Sequence, residues 1–215
     1  YDLIKSNAIR IQIAPKDPVS KNIKHSVAFV KMDDKRFFLE RLIKENPKSK
    51  ILVFVRTKVR AERVKKAMDR VEIESMTIHG DKAQKDRSSV MNFFRTGKVN
   101  VMIATDVSAR GIDIANVDYV VNYDLPDVAE NYVHRIGRTG RGKEKGDAVS
   151  FCANEEKPLL DEIEKFVGKP IKVLELKQDE YRQTVDFSED TSLSVKELMG
   201  QIEELDKKVK KNKKK

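Results

Sequence analysis

The chain has one cysteine among its 215 residues, three histidines and no tryptophan. A single thiol can form neither an internal disulfide nor a cysteine metal cluster. Cys152 lies in an apolar run, so we expect it to be buried, and its isolation favours a reducing, cytoplasmic location. No apolar run approaches the roughly 18–20 residues that cross a bilayer, and no secretory leader is recognisable. The chain also lacks an initiator methionine, which favours an excised fragment.

Positive charge is abundant but unevenly placed. The formal net charge is +9, yet residues 207–215 hold seven lysines and no acid. Without those seven lysines, 37 basic residues face 35 acidic ones, so the rest of the chain carries only +2. We therefore expect any nucleic acid to bind at a local patch of the folded part. The tail itself is open to two interpretations, a non-specific RNA tether or a solvated solubility segment.

Strand and helix patterns alternate through the middle of the chain. Six short apolar runs rich in Val and Ile predict strands: Val27–Val30, Ile51–Val55, Met76–Ile78, Val101–Ala104, Val117–Val121 and Ala148–Phe151. Between them lie helical patterns, with caps expected at Asp33 or Asp34 and at Thr57, and ends at Gly97 and Gly168. Such alternation predicts an α/β domain with a mainly parallel sheet covered by helices on both faces.

The expected domain spans residues 25–176. Residues 1–24 precede it as an interdomain linker, and residues 177–215 follow as a polar linker, a short amphipathic helix and the lysine-rich tail. Within that last part, residues 195–209 hold about two heptads, fewer than a coiled coil needs. Whether this helix docks on the domain, dimerises or stays free is left open, and we expect the fragment to be a monomer.

Polar clusters follow four of the predicted strands. They are Arg56-Thr57-Lys58, His79-Gly80-Asp81, Thr105-Asp106 with residues 109–113, and Asn122-Tyr123-Asp124. Ligands of open α/β sheets bind beyond the carboxyl ends of parallel strands. The four clusters therefore predict a functional site at that one edge of the sheet.

The densest feature is residues 132–142, which interleave arginines with glycines. Arginine offers a rigid, permanently charged fork suited to phosphate oxygens, and glycine lets a backbone approach a ligand closely. Arg138 and Arg141 are the strongest phosphate candidates. For Arg135, a structural role stays open because its neighbours offer intramolecular partners.

The chain has no triphosphate cradle of its own. Residues 137–143 match the start of a Walker A loop, but Glu144 stands where the magnesium-binding hydroxyl belongs, and no apolar strand ends at Gly137. Phosphate-seeking arginines without a P-loop predict half of a nucleotide site, whose other half lies on a separate lobe or partner.

These segments resemble DEAD-box helicases. Residues 134–141 are similar to motif VI, residues 104–113 to motif V, residues 51–58 to motif IV, and Gln84 with Arg87 to the Q-x-x-R element. The four occur in family order, and the resemblance covers about residues 25–176. The surrounding segments, residues 7–13 and 54–58, look closest to the bacterial RhlE type. The resemblance implies that the α/β domain is the second, C-terminal RecA-like lobe of an RNA helicase.

The resemblance also implies a role for each matching residue. Arg138 and Arg141 match arginine fingers, and His134 matches a residue that contacts the first lobe during hydrolysis. Asp113 matches the acid that binds the ribose, and Gly111 accompanies it at the nucleotide. The positions matched to RNA-backbone binding are Gly80, Gln84, Arg87 and Thr105, with Gln84 supporting Arg87.

The expected function is ATP-dependent RNA unwinding, performed together with a first lobe. ATP would be the cofactor, with Mg²⁺ held by that first lobe, and no metal site is expected on this chain. RNA and the first lobe are the expected partners, and we expect the chain alone to be inactive. Two alternatives remain: a non-enzymatic RNA-binding or scaffold module that has kept the fold, and the second lobe of a DNA-acting helicase. His134, where many DNA-acting relatives have glutamine, favours RNA.

Overall fold

The computed structural model describes residues 18–106, 114, 117–140 and 145–188. Residues 1–17 of the expected linker and residues 189–215 of the expected C-terminal segment lie outside these residues, as do Gly111, Asp113 and Arg141. Seven described strands form one sheet: β1 Ile23–Phe29, β2 Ile51–Phe54, β3 Met76–Ile78, β4 Val101–Ala104, β5 Tyr119–Asn122, β6 Gly146–Cys152 and β7 Lys172–Val173.

The sheet has the order β3-β4-β2-β5-β6-β1-β7, and every described pairing is parallel. The predicted parallel α/β fold is therefore confirmed. Strands β2 and β4 are buried along their whole length, because helices cover both faces and leave no polar side for alternating residues.

Six α-helices in the described part of the chain cover the sheet. They are α1 Lys35–Glu45, α2 Lys58–Arg70, α3 Gln84–Thr96, α4 Ala129–Ile136, α5 Lys157–Val167 and α6 Gln178–Asp186. Helices α1 and α2 bury their apolar stripes in one core, and α3, α4 and α5 contribute to the other. The predicted ends are confirmed at Gly97 and Gly168, which have φ values of 74° and 78°. The cap at Thr57 is confirmed too, since its hydroxyl accepts the Arg60 amide at 3.1 Å.

Other predicted boundaries shift. The first strand begins at Ile23, ahead of the expected domain start at residue 25, and β5 ends at Asn122. Residues 129–136, of which only 132–136 belong to the predicted arginine-rich motif, form a helix. Asp34 occupies the N-cap position of α1, but its side chain makes no cap hydrogen bond there.

The prediction of a polar linker from residue 177 onward is wrong for Gln178–Asp186, which form helix α6. Tyr181 of α6 donates its hydroxyl proton to Asp34 at 2.7 Å, and its ring lies 4.9 Å from that of Phe38. Thr184 accepts a hydrogen bond from Arg41 of α1 at 2.6 Å. Because these contacts reach across about 145 residues of chain, the local pattern could not reveal the helix.

The lone cysteine is buried, as predicted, and burial raises the pKa of its thiol to about 11. None of the helices in the described ranges is long and apolar enough to span a membrane.

Candidate functional site

Strand register brings the polar clusters to one edge. Ile78 and Phe54 both pair with Ala104, and Phe54 also pairs with Asn122 on the far side. Strands β3, β4, β2 and β5 therefore end at the same level, and the residues that follow them emerge side by side. The edge predicted from sequence is present in the structure, and its members are described below strand by strand.

Arg56, for which the sequence offered no firm role, is engaged within the protein. Its amide donates to Asp124 at 3.1 Å, and its guanidinium contacts Glu156 at 3.2 Å and Asp127 at 3.0 Å. The side chain thus ties the end of β2 to the segments after β5 and β6. The structure favours a positioning role for Arg56 over direct ligand contact.

The turn after β3 exposes backbone. Gly80 is exposed, and a Cβ added to it would meet no atom within 4 Å. Helix α3 follows, and no side chain caps its N-terminus at Ala83. Gln84 is exposed in its first turn, and Arg87 is half-buried one turn later. Open amides at a helix N-terminus, beside an arginine and an unobstructed glycine, suit phosphate oxygens.

Beneath this turn lies His79, whose role the sequence left open. Its Nε2 donates to Glu62 of α2 at 3.0 Å, and Thr77 donates to the same carboxylate oxygen at 2.6 Å. Partial burial would raise the pKa of Glu62, but these two hydrogen bonds and the positive charge of nearby Lys82 together lower the pKa below its ordinary value. His79 is only 9% exposed, so it holds the turn against α2.

Thr105 and Asp106 follow β4, beside that turn. Thr105 is buried, and its amide donates to Ile78 at 3.3 Å, which joins the ends of β3 and β4. Asp106 accepts two hydrogen bonds from Arg135, at 2.6 and 2.8 Å. The end of β4 is therefore fixed to helix α4.

Arg135 is the best-satisfied charged side chain of the site. It is 1% exposed, and besides Asp106 it donates to the Asp124 carbonyl at 2.7 Å and to Asn122 at 3.3 Å. Its guanidinium also lies 5.1 Å from the ring centre of Phe54. The intramolecular partners considered from the sequence are present, so Arg135 is a positioning residue.

His134 and Arg138 lie on the outer side of the same segment. The His134 side chain is 55% exposed, with its Nε2 3.9 Å from Glu130. Arg138 is half-exposed, and its Nε donates to the His134 carbonyl at 3.2 Å. Arg135 thus points to the interior from the last turn of α4, whereas Arg138, two residues beyond the end of the helix, is half-exposed.

The turn after α4 is tightly packed. The Thr139 hydroxyl donates to the Val117 carbonyl at 2.5 Å, and Gly140 has a φ of 63° against the backbone of Asn22. A Cβ on Gly146 would overlap Thr139. Glycine is therefore required here by close packing, in addition to any approach of a ligand.

One charged cluster was not found from the sequence. Lys35 is fully buried, and its ammonium group donates to Glu156 at 2.5 Å and to the Tyr123 carbonyl at 2.7 Å. Glu156 also accepts the Leu125 amide at 3.3 Å. The two residues are 121 positions apart, so no local spacing marks them as partners. Their pair joins α1 to the segment after β6 behind the edge.

Comparison with known proteins agrees with this architecture. The family described as "Helicase conserved C-terminal domain" matches residues 34–143. The ATP-dependent RNA helicase RhlB of Shewanella sediminis is 41% identical over 164 residues, covering 76% of this chain and 38% of that protein. The ATP-dependent RNA helicase DbpA of Bacillus subtilis is 41% identical over 175 residues, covering 81% and 36%. The chain thus spans less than half the length of these relatives.

Solved structures give the same result. E. coli DEAD-box protein SrmB, bound to regulator of ribonuclease activity A, has a TM-score of 0.69 and 32% identity, covering 75% of this chain and 94% of that one. S. cerevisiae Dbp5, bound to RNA and ADP BeF3, has a TM-score of 0.69 and 33% identity, covering 79% and 45%. The chain belongs to the helicase conserved C-terminal domain family, in the form found in DEAD-box proteins. Similarity to the RhlE type stays a prediction.

Proposed function

We propose that the chain is the second lobe of an ATP-dependent RNA helicase, holding RNA at its sheet edge and completing an ATP site on a first lobe. One observation carries the proposal. Arg135 of helix α4 binds Asp106, the neighbour of the proposed RNA residue Thr105, and the turn directly after the helix leaves Arg138 half-exposed. Helix α4 and the turn that follows it therefore link the two expected ligand sites.

RNA would lie along the ends of β3 and β4. Gly80 and the open N-terminus of α3 would offer backbone amides to phosphates, with Arg87 supplying charge and Gln84 supporting it. Thr105 would complete the edge from the end of β4. Contacts of this kind hold a sugar–phosphate backbone without reading bases, which suits a helicase that acts on many sequences.

The first lobe would make most of the contacts with ATP, and the present lobe would close over the bound nucleotide. Arg138 and Arg141 would reach the γ-phosphate, Asp113 and Gly111 would lie at the ribose, and His134 would contact the first lobe. In the described ranges, no group of three His, Cys, Asp or Glu side chains could hold a metal ion. Mg²⁺ would be held by the first lobe together with the triphosphate.

The assignment to a half-site predicts the activity of the chain by itself. Residues 1–215 should show no ATPase above background with saturating RNA, whereas the protein with both lobes should hydrolyse ATP in an RNA-stimulated way. Steady-state ATPase assays with matched RNA and DNA strands measure both. Robust turnover by the chain alone would contradict the half-site, and equal stimulation by DNA would favour a DNA-acting helicase.

The Gly80→Ala substitution is expected to change RNA affinity without changing the stability of the fold. The added methyl group meets no atom of the protein, and the backbone there needs no positive φ, so the free energy of unfolding should change by less than about 0.5 kcal/mol. If a phosphate approaches the Gly80 amide, the methyl group should weaken RNA affinity by about tenfold, or roughly 1.4 kcal/mol. RNA titration in the two-lobe protein and urea unfolding measure the two effects. Unchanged RNA affinity would remove Gly80 from the site.

A further inference from the structure

Helix α2 has the highest net positive charge of the described helices. Its thirteen residues include six basic and two acidic side chains, a net charge of +4. Outside the lysine-rich tail the whole chain carries only +2. The rest of that part is therefore slightly acidic, and α2 is the local basic patch that the charge distribution called for.

This charge lines a cleft between α1 and α2. The cleft encloses about 430 Å³, and five basic residues border it: Arg36, Arg60, Arg63, Lys66 and Arg70. Asp33 is the one acidic side chain among its lining residues. A concave surface with this excess of arginine and lysine favours an anionic ligand, because low-dielectric walls concentrate the field of the charges.

Part of the charge on α2 is already neutralised inside the protein. Arg60 lies 3.3 Å from Asp124, and Lys65 pairs with Asp69 at 2.7 Å. Arg63 and Lys66 differ, since both are exposed and neither side chain has a hydrogen-bond or ion-pair partner within the described part of the chain. These two cations are available to bind an anion.

The cleft is continuous with the proposed RNA edge. Arg63 and Lys66 also border a second depression of about 410 Å³, which reaches Lys58, His79 and Asp81. His79 and Asp81 flank Gly80, so this depression begins at the turn where the edge would hold phosphates. From there α2 extends for about 20 Å at 1.5 Å per residue, long enough to follow several phosphates of a strand.

We propose that the α1–α2 cleft binds the phosphate backbone of RNA that extends beyond the segment held at the sheet edge, with Arg63 and Lys66 as its main contacts. The inference rests on the proposed RNA function and adds a second, sequence-independent site to it. Continuity with the Gly80 turn favours RNA over an acidic protein, because Arg63 and Lys66 border both the depression beside that turn and the cleft. Arginine and lysine contacts to phosphate also need no base recognition.

The test compares Arg63→Ala/Lys66→Ala with Lys165→Ala/Lys172→Ala in the two-lobe protein. Lys165 and Lys172 are exposed on α5 and β7, so the control removes the same charge elsewhere. Single-stranded homopolymer RNAs of increasing length are titrated with a non-hydrolysable ATP analogue present. The cleft variant should bind the longest RNA about tenfold more weakly and the shortest normally. The slope of log K against log salt on the long RNA should flatten by about 1.4, since each phosphate contact contributes about 0.7.

Three outcomes would overturn the inference: an unchanged salt slope, an equal loss on the shortest RNA, or an equal loss in the control variant. Polyglutamate is added as a competitor to test for an acidic protein partner. If polyglutamate bound the wild type but not the cleft variant, and both bound RNA equally, the cleft would be a surface for an acidic protein and the inference would be wrong. A failure of the proposed function can be told apart from a failure of this inference, because RNA of any length would then fail to stimulate the ATPase activity of the wild-type protein.

Discussion

Replacing Arg138 by alanine in the two-lobe protein is expected to lower kcat for ATP hydrolysis by about 10³-fold or more, as for other arginine fingers. Its side chain is half-exposed just beyond the end of helix α4, where its Nε donates to the His134 carbonyl, so the guanidinium lies at the surface and can turn toward a phosphate across a cleft. Charge placed at the γ-phosphate counts most in the transition state, and the first lobe would supply most of the ground-state affinity. Steady-state kinetics with saturating RNA should therefore show a large loss in kcat and a small change in KM.

Arg138→Lys is the matched control. It keeps the charge but loses the planar fork, so it should recover only part of the rate. A variant with raised KM and intact kcat would show that Arg138 contributes to ground-state binding only. Urea unfolding should place Arg138→Ala within about 0.5 kcal/mol of the wild type, as expected for a surface substitution.

Arg135→Ala should have its main effect on stability, although Arg135 is only three residues from Arg138. The substitution leaves Asp106 without its two strongest donors and removes the donors to Asn122 and the Asp124 carbonyl. Breaking a buried ion pair from one side costs about 3–5 kcal/mol, and the 26% exposure of the Asp106 side chain puts the expectation near the lower value. Urea unfolding of the chain, with Arg138→Ala as the reference, measures the loss in free energy of unfolding.

Should Arg135→Ala fail to fold, Asp106→Asn provides a milder version. It keeps one acceptor for the guanidinium but removes the opposite charge, so it should destabilise the domain less than Arg135→Ala does. Equal stability of the Arg135 and Arg138 alanine variants would contradict the assignment of Arg135 as a positioning residue.

Sequence patterns predicted the strands well because both faces of the sheet are covered. The continuous apolar runs at residues 51–55 and 101–104 follow directly from burial on two sides. Helix ends at Gly97 and Gly168 were predictable for a local reason, since glycine adopts the positive φ of a helix C-terminus without steric cost. Helix α6 was missed because the contacts of Tyr181 and Thr184 with α1 stabilise it, and these are set by the tertiary fold.

The candidate site also contains some features that the sequence predicted and others that only the structure explains. The sequence and its resemblance to DEAD-box helicases predicted which residue types gather beyond the strands, and they predicted a phosphate-binding role for Arg138. The distinction between Arg135 and Arg138 required the tertiary structure, because helix α4 ends at Ile136. Arg135 lies in its last turn and binds Asp106, whereas Arg138 follows in the turn beyond and is half-exposed.

Local composition and periodicity determined that this chain is a parallel α/β domain with a basic, glycine-rich motif and no P-loop, because those features depend on neighbours within a few residues. Only the tertiary structure decided which charged side chains form ion pairs with one another inside the protein. Lys35 with Glu156, and Arg60 with Asp124, come from segments dozens of residues apart and neutralise each other behind the edge. This long-range pairing also determines which cationic side chains stay available to a ligand, because an arginine or lysine that already pairs with a carboxylate of the same chain binds an anion less readily. Arg63 and Lys66 are the two available side chains on α2 that we propose to bind RNA.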